Sequence, residues 1–153
     1  MNQPTTATTS AEIRSRALKL LTSREHSRQE LARKLLARGY AAEDIDTVLD
    51  QLEQDELLSA SRLVEHYVAE RLEKGFGPLR IRVELRAKGL SDPQIEPHLG
   101  LEDAQCLALI NAAHNRRFGA GSKNERQTLA KRARFLEYRG FPSHLIARFL
   151  GAD

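Results

Sequence analysis

The chain has 153 residues, 41% apolar and only 5% aromatic, with no Trp, so any core is built from Leu, Ile, Val and Ala, a composition that suits helices better than sheets. No apolar run approaches the roughly 20 residues that span a bilayer, the opening MNQPTTATTS lacks the basic and apolar stretches of a signal peptide, and the single cysteine, Cys106, rules out an internal disulfide; a cytoplasmic protein is expected. The net charge of +3 is uneven: residues 11–58 carry 8 Lys+Arg against 10 Asp+Glu, residues 59–103 carry 7 against 8, and residues 104–153 carry 9 against 3, which points the last third towards an anionic partner.

Residues 1–10 are polar and Thr-rich, and a disordered tail is expected there. Helical spacing begins at Ile13, with Ala17, Leu20 and Leu21 on the same face. Ser27-Arg28-Gln29-Glu30 is a capping box that opens a second helix, lined by Leu31, Leu35 and Leu36 and ended by Gly39. A third helix from about Ala42 places Ile45, Val48, Leu49 and Leu52 on one side. The plan then repeats. Leu63, Val64, Tyr67, Val68 and Leu72 mark a fourth helix, broken at Gly75-Phe76-Gly77; Pro78 opens a fifth that runs through Ile81 and Leu85 to Gly89; Ser91 to Gln94 caps a sixth with Ile95 and Leu99. Ala104 to Arg117, Lys123 to Arg139 and Pro142 to Leu150 give the seventh, eighth and ninth, with a break at Phe118 to Ser122.

The three sets align on their glycines. Leu35, Leu85 and Leu136 precede Gly39, Gly89 and Gly140 by four residues, and Arg38, Lys88 and Arg139 precede them directly. Tyr40, Leu90 and Phe141 follow at once, Ile45, Ile95 and Ile146 come six residues on, and Leu49, Leu99 and Leu150 ten on. Such self-similarity marks a tandem repeat. The expected fold is all-α, three tandem three-helix repeats (11–58, 59–103 and 104–153) stacked into an elongated, curved body. A module of about 45 residues buries little core alone, so each should lean on its neighbour.

Catalytic chemistry finds no constellation here. The five histidines, at 26, 66, 98, 114 and 144, are scattered without metal-ligand spacing and are expected as solvated or half-buried helix residues. Gly119-Ala120-Gly121-Ser122-Lys123 lacks the spacing of a P-loop and no strand precedes it, so it is expected as a connector. No cofactor, no metal and no enzymatic activity are expected. The candidates for contact with a partner are cations: Arg80, Arg82, Arg86 and Lys88 on the fifth helix, and Arg116, Arg117, Lys123, Arg126, Lys131, Arg132, Arg134 and Arg139 on the seventh and eighth. At such density they suit phosphates or an acidic protein face.

Arg24 to Leu31, Lys34-Leu35, Arg38-Gly39, Tyr67-Val68, Arg71, Lys74-Gly75, Ile81, Glu84 to Leu90, Lys131 to Leu136 and Arg139-Gly140-Phe141 stand in an order that resembles the RecX family of bacterial recombinase regulators. The resemblance implies a non-enzymatic inhibitor that binds the RecA filament on single-stranded DNA and damps its ATPase, strand-exchange and coprotease activities, so regulating homologous recombination, DNA repair and the SOS response. It also implies contact with RecA across more than one subunit, with single- or double-stranded DNA as a further partner; a monomer is expected. Before the fourth helix such proteins often carry paired aspartates, whereas this chain has Leu58-Ser59-Ala60-Ser61, where Ser59 or Ser61 can still cap. Two other readings stay open from the residues alone. One is a stand-alone DNA-binding helical module, although the helix after Gly39 carries Glu43, Asp44, Asp46, Asp50 and Glu53 and no cation. The other is a helical-repeat adaptor for another acidic protein.

Overall fold

Every apolar stripe read from the sequence becomes a helix. The computed structural model describes residues 6–120 and 126–151. Among these, the chain forms nine helices and no strand: α1 (Thr6–Ser23), α2 (Arg28–Ala37), α3 (Ala42–Gln54), α4 (Ala60–Glu73), α5 (Pro78–Ala87), α6 (Asp92–Leu99), α7 (Asp103–Phe118), α8 (Arg126–Arg139) and α9 (Ser143–Leu150). One expectation is corrected at the start. The segment 1–10 was expected as a disordered tail, yet α1 begins at Thr6, because a helix nucleated by the Ile13 stripe extends backwards at little cost per residue; residues 1–5 lie outside the described ones.

The caps follow the sequence. The Ser27 hydroxyl accepts the Glu30 N–H and the Glu30 carboxylate accepts the Ser27 N–H, both at 3.0 Å. Ser59 caps α4 by accepting the Arg62 N–H at 3.1 Å, and Gln94 closes the start of α6 by accepting the Ser91 N–H at 2.9 Å. Pro78 is the first residue of α5, where its missing N–H leaves no bond unmade.

In each repeat the first and third helices pack together and the second contacts both. The repeated positions form the cores: Leu35, Leu85, Leu136, Ile45, Ile95 and Ile146 are all at most 2% exposed. Three separate apolar clusters result, one centred on Leu31, Leu49 and Leu52, one on Val64, Ile81 and Ile95, and one on Ile110, Leu136 and Phe141. Burial of each such side chain is worth about 1.5–3 kcal/mol. The apolar clusters do not merge across repeats, so what holds the repeats together is of another kind.

That other kind is a head-to-tail contact between the middle helices. At the first joint, the end of α5 meets the start of α2, where the Ser27 hydroxyl donates to the Lys88 carbonyl at 2.6 Å. At the second, the end of α8 meets the start of α5: the Gly77 N–H donates to the Arg139 carbonyl at 2.7 Å and the Leu79 N–H to the Gly140 carbonyl at 2.9 Å. Donors free at one helix start satisfy carbonyls free at another helix end, and the helix dipoles are aligned favourably. The approach is close enough to require glycine. A Cβ on Gly140, which has φ +98°, would lie 2.6 Å from the Arg80 nitrogen, and one on Gly77 would lie 2.5 Å from the Gly140 carbonyl. Gly39, at the matching place on α2, has nothing within 4 Å. Repeat 1 is thus bonded to repeat 2 and repeat 2 to repeat 3, the linear order of an elongated stack.

Candidate interaction surface

The sequence-predicted cations of α5 are largely committed inside the chain. Arg82 pairs with Glu96 at 2.5 Å, and Arg86 grips Asp92 with two hydrogen bonds of 2.8 and 3.0 Å. Those bonds hold the Asp92 and Glu96 carboxyls below their ordinary range. Lys88 sits 3.6 Å from Glu30 across the first joint and over the Tyr67 ring. Arg80 lies 3.7 Å from Glu84 and stacks between the Phe76 and Tyr138 rings. Arg71, on α4, takes the same Glu84 bidentately at 3.0 and 2.8 Å.

The second joint is different, because α7 and α8 bring cations there without carboxylates. Arg116 donates to the Glu73 carbonyl at 3.2 Å and Arg139 to the Lys74 carbonyl at 3.3 Å, so both satisfy the end of α4. Arg71, Arg80 and Arg139 all lie within 5 Å of the Phe76 ring centre, at 3.7, 4.6 and 4.5 Å. Ring faces attract such cations. They do not remove the mutual repulsion: burial, then the charges of Arg80, Arg116, Arg71 and Arg117, push the Arg139 guanidinium below its usual range. Arg117, exposed on α7, completes the group over the Phe118 ring.

On α8, Lys131 and Arg134 are exposed. Arg132, predicted as a surface contact, is instead buried: its Nη1 lies 2.9 Å from Nε2 of the fully buried His114, and it packs over the Phe118 ring. Its place four residues before the buried Leu136 turns it inward. Lys123 lies outside the described residues, as does the side chain of Arg126. The histidine expectation is corrected at two positions. His114 and His26 are both buried, His26 between the Arg24 carbonyl and the Lys34 ammonium, each at 3.0 Å, where burial pushes its imidazole down.

One basic surface escaped the sequence reading. Arg16 and Lys19 on α1, Lys34 on α2 and Arg38 at the α2 C-cap line a groove in repeat 1. Their spacings of three and four residues place each pair on one helix face, which was a readable signal. The net charge of repeat 1 hid it, because the acids are concentrated on α3, where Arg28 binds Asp50 and Glu53 at 2.7 and 2.8 Å.

Among the described residues no group of three or more His, Cys, Asp or Glu side chains is placed to hold a metal ion, and no helix is long and apolar enough to cross a membrane. Family models for RecX match the chain in order: the first three-helix domain over residues 14–52, the second over 61–99 and the third over 103–150. The Regulatory protein RecX of Halorhodospira halophila is 42% identical over 137 residues, which cover 90% of this chain and 85% of that one. The chain belongs to the RecX family. The Regulatory protein RecX of Pseudomonas savastanoi pv. phaseolicola is 39% identical over 147 residues, 96% of this chain and 95% of that one. Two solved structures share the fold at 22% identity. A crystal structure of regulatory protein RecX superposes with a TM-score of 0.81 over 97% of this chain and 75% of that one, and RecX from Lactobacillus salivarius with 0.77 over 95% and 96%. The family is one of regulatory proteins, and this chain carries all three of its domains.

Proposed function

We propose that this chain is a cytoplasmic, monomeric, non-enzymatic modulator of RecA, which binds the RecA filament on single-stranded DNA and damps its ATPase, strand-exchange and coprotease activities. The observation that carries the reading is the match to RecX regulatory proteins along all three repeats, 39% identical over 96% of the chain in one relative. The geometry supports it in two ways. A linear stack of three repeats offers a long surface for its mass, able to touch several subunits of a helical polymer at once, and contacts made together multiply in effect. Arg116, Arg117 and Arg139 carry positive charge not neutralised by any carboxylate within ion-pair distance among the described residues, as contact with an acidic or phosphate-bearing filament requires.

The mechanism is steric and allosteric: seated in the filament groove or at its growing end, the chain hinders extension or favours disassembly. The test is RecA ATPase on single-stranded DNA as the chain is titrated in, with the chain's own DNA affinity measured at the same salt. Inhibition at concentrations too low to coat the DNA is expected. Inhibition that only tracks DNA coverage would favour a stand-alone DNA-binding module, the second reading, for which the same unneutralised arginines speak.

A further inference from the structure

The second joint carries an open pocket of about 110 Å³, lined chiefly by Lys74, Gly75, Arg116, Arg117, Phe135 and Arg139. This has room for one tetrahedral oxyanion. A Cβ placed on Gly75 would lie 3.8 Å from Nη1 of Arg116 and 3.8 Å from Nη1 of Arg139, so the two guanidiniums stand close enough together for one tetrahedral anion to bridge them. Each of these arginines uses one N–H on an α4 carbonyl, at 3.2 and 3.3 Å, which leaves most of its five donors for something else. Lys74 is paired with Glu70 at 2.7 Å, whereas the three arginines have no carboxylate partner among the described residues.

We propose that this pocket is a phosphate-binding site, in which the guanidiniums of Arg116, Arg117 and Arg139 hold a phosphodiester of a nucleic-acid strand or a phosphomonoester. The inference deepens the filament reading by naming where a phosphate is held, and it rests on that reading only for the site's biological setting. The chain itself shows why a phosphate fits better than a carboxylate. Where it binds a carboxylate, one planar guanidinium fork suffices, as in Arg71 on Glu84 and Arg86 on Asp92. Here several forks on two different helices face one volume, and a tetrahedral oxyanion accepts from several directions at once. The α4 carbonyls account for one N–H apiece and leave three like charges uncompensated. Burial first, and that repulsion second, lower the proton affinity of Arg139, and a bound anion would offset the repulsion.

The test is made without RecA, so that its failure leaves the filament reading standing. The wild-type chain, an Arg116→Gln/Arg117→Gln variant and a Lys131→Gln/Arg134→Gln variant are titrated with a single-stranded oligonucleotide across a range of salt. In parallel, inorganic phosphate and, at equal ionic strength, poly-glutamate are added while arginine side-chain N–H resonances are followed. All four substituted residues are exposed, and because Arg116 also bonds the Glu73 carbonyl, the melting temperature of each variant is measured alongside to show that the fold is kept. For the Arg116/Arg117 variant the slope of log affinity against log salt falls by about 0.7, the loss of one phosphate contact on a single strand. Inorganic phosphate shifts the Arg139 resonance in the wild type and in the Lys131/Arg134 variant but not in the Arg116/Arg117 variant. A phosphate response without oligonucleotide binding supports the site and assigns it to a free phosphomonoester. Equal slope losses in both variants, no Arg139 shift with phosphate, or a stronger response to poly-glutamate than to phosphate would overturn the proposal.

Discussion

The two joints between repeats use one device with opposite electrostatics. Both bring the end of one middle helix onto the start of another, with a left-handed glycine, Gly89 or Gly140, at the contact. At the first joint every cation meets a carboxylate: Glu25 pairs with Arg62, and Glu30 takes Arg24 at 2.9 Å and Lys88 at 3.6 Å. At the second, Glu84 serves Arg71 and Arg80, while Arg116, Arg117 and Arg139 gather without acids. Backbone bonds and the Phe76 ring hold that joint together in spite of its charge. A joint whose cations all meet carboxylates is built for cohesion; one that gathers like charges without acids is where the proposed reading seats an anionic partner.

The steric half of this comparison predicts the largest effect. Gly140→Ala forces a Cβ into the Arg80 backbone at φ +98° and should lower stability to denaturant by about 3 kcal/mol. Gly39→Ala, strained by the same sign of φ but open to solvent, should lose only about 1 kcal/mol. Equal losses would mean that the joint gives way freely.

The electrostatic half predicts a smaller effect at the first joint. Burial works to raise the Glu30 carboxyl, but the hydrogen bonds from Arg24 and the Ser27 N–H, with the Lys88 charge, hold it at about 2. A depressed carboxyl stabilises the fold at every pH above its unfolded value of about 4.3, and that contribution is lost as pH falls from there towards the folded value. Glu30→Gln keeps the cap acceptor and removes the charge. It should cost about 1 kcal/mol at neutral pH, and its melting temperature should fall less steeply than that of the wild type below pH 4. Parallel acid profiles would remove Glu30 from the joint's cohesion.

The fold was legible because its signals are local or periodic. The leucine four before each glycine and the isoleucine six after it are the buried core, and the Ser27 to Glu30 capping box forms as written. The candidate surface was only half legible. Charge density on α5 suggested free cations, but their carboxylates arrive from the next helix, Glu96 for Arg82 and Asp92 for Arg86, and only the turn between α5 and α6 brings them together. The inward face of Arg132 could have been read from its spacing to Leu136, as could that of His114 from Ile110. The convergence at the second joint could not. It depends on how α4, α7 and α8 meet around Phe76, a contact between residues more than 40 positions apart in the chain.

RecA ATPase inhibition on single-stranded DNA, compared between two double variants, tests most directly whether the unneutralised cations are the working ones. Arg82→Gln/Arg86→Gln removes cations already held by Glu96 and Asp92, and Arg116→Gln/Arg117→Gln removes cations with no acid partner. The account predicts that the Arg116/Arg117 variant needs roughly tenfold more protein for half inhibition, about 1.4 kcal/mol of binding, while the Arg82/Arg86 variant stays within about twofold of wild type. Equal losses in the two, or a larger loss in the Arg82/Arg86 variant, would contradict it.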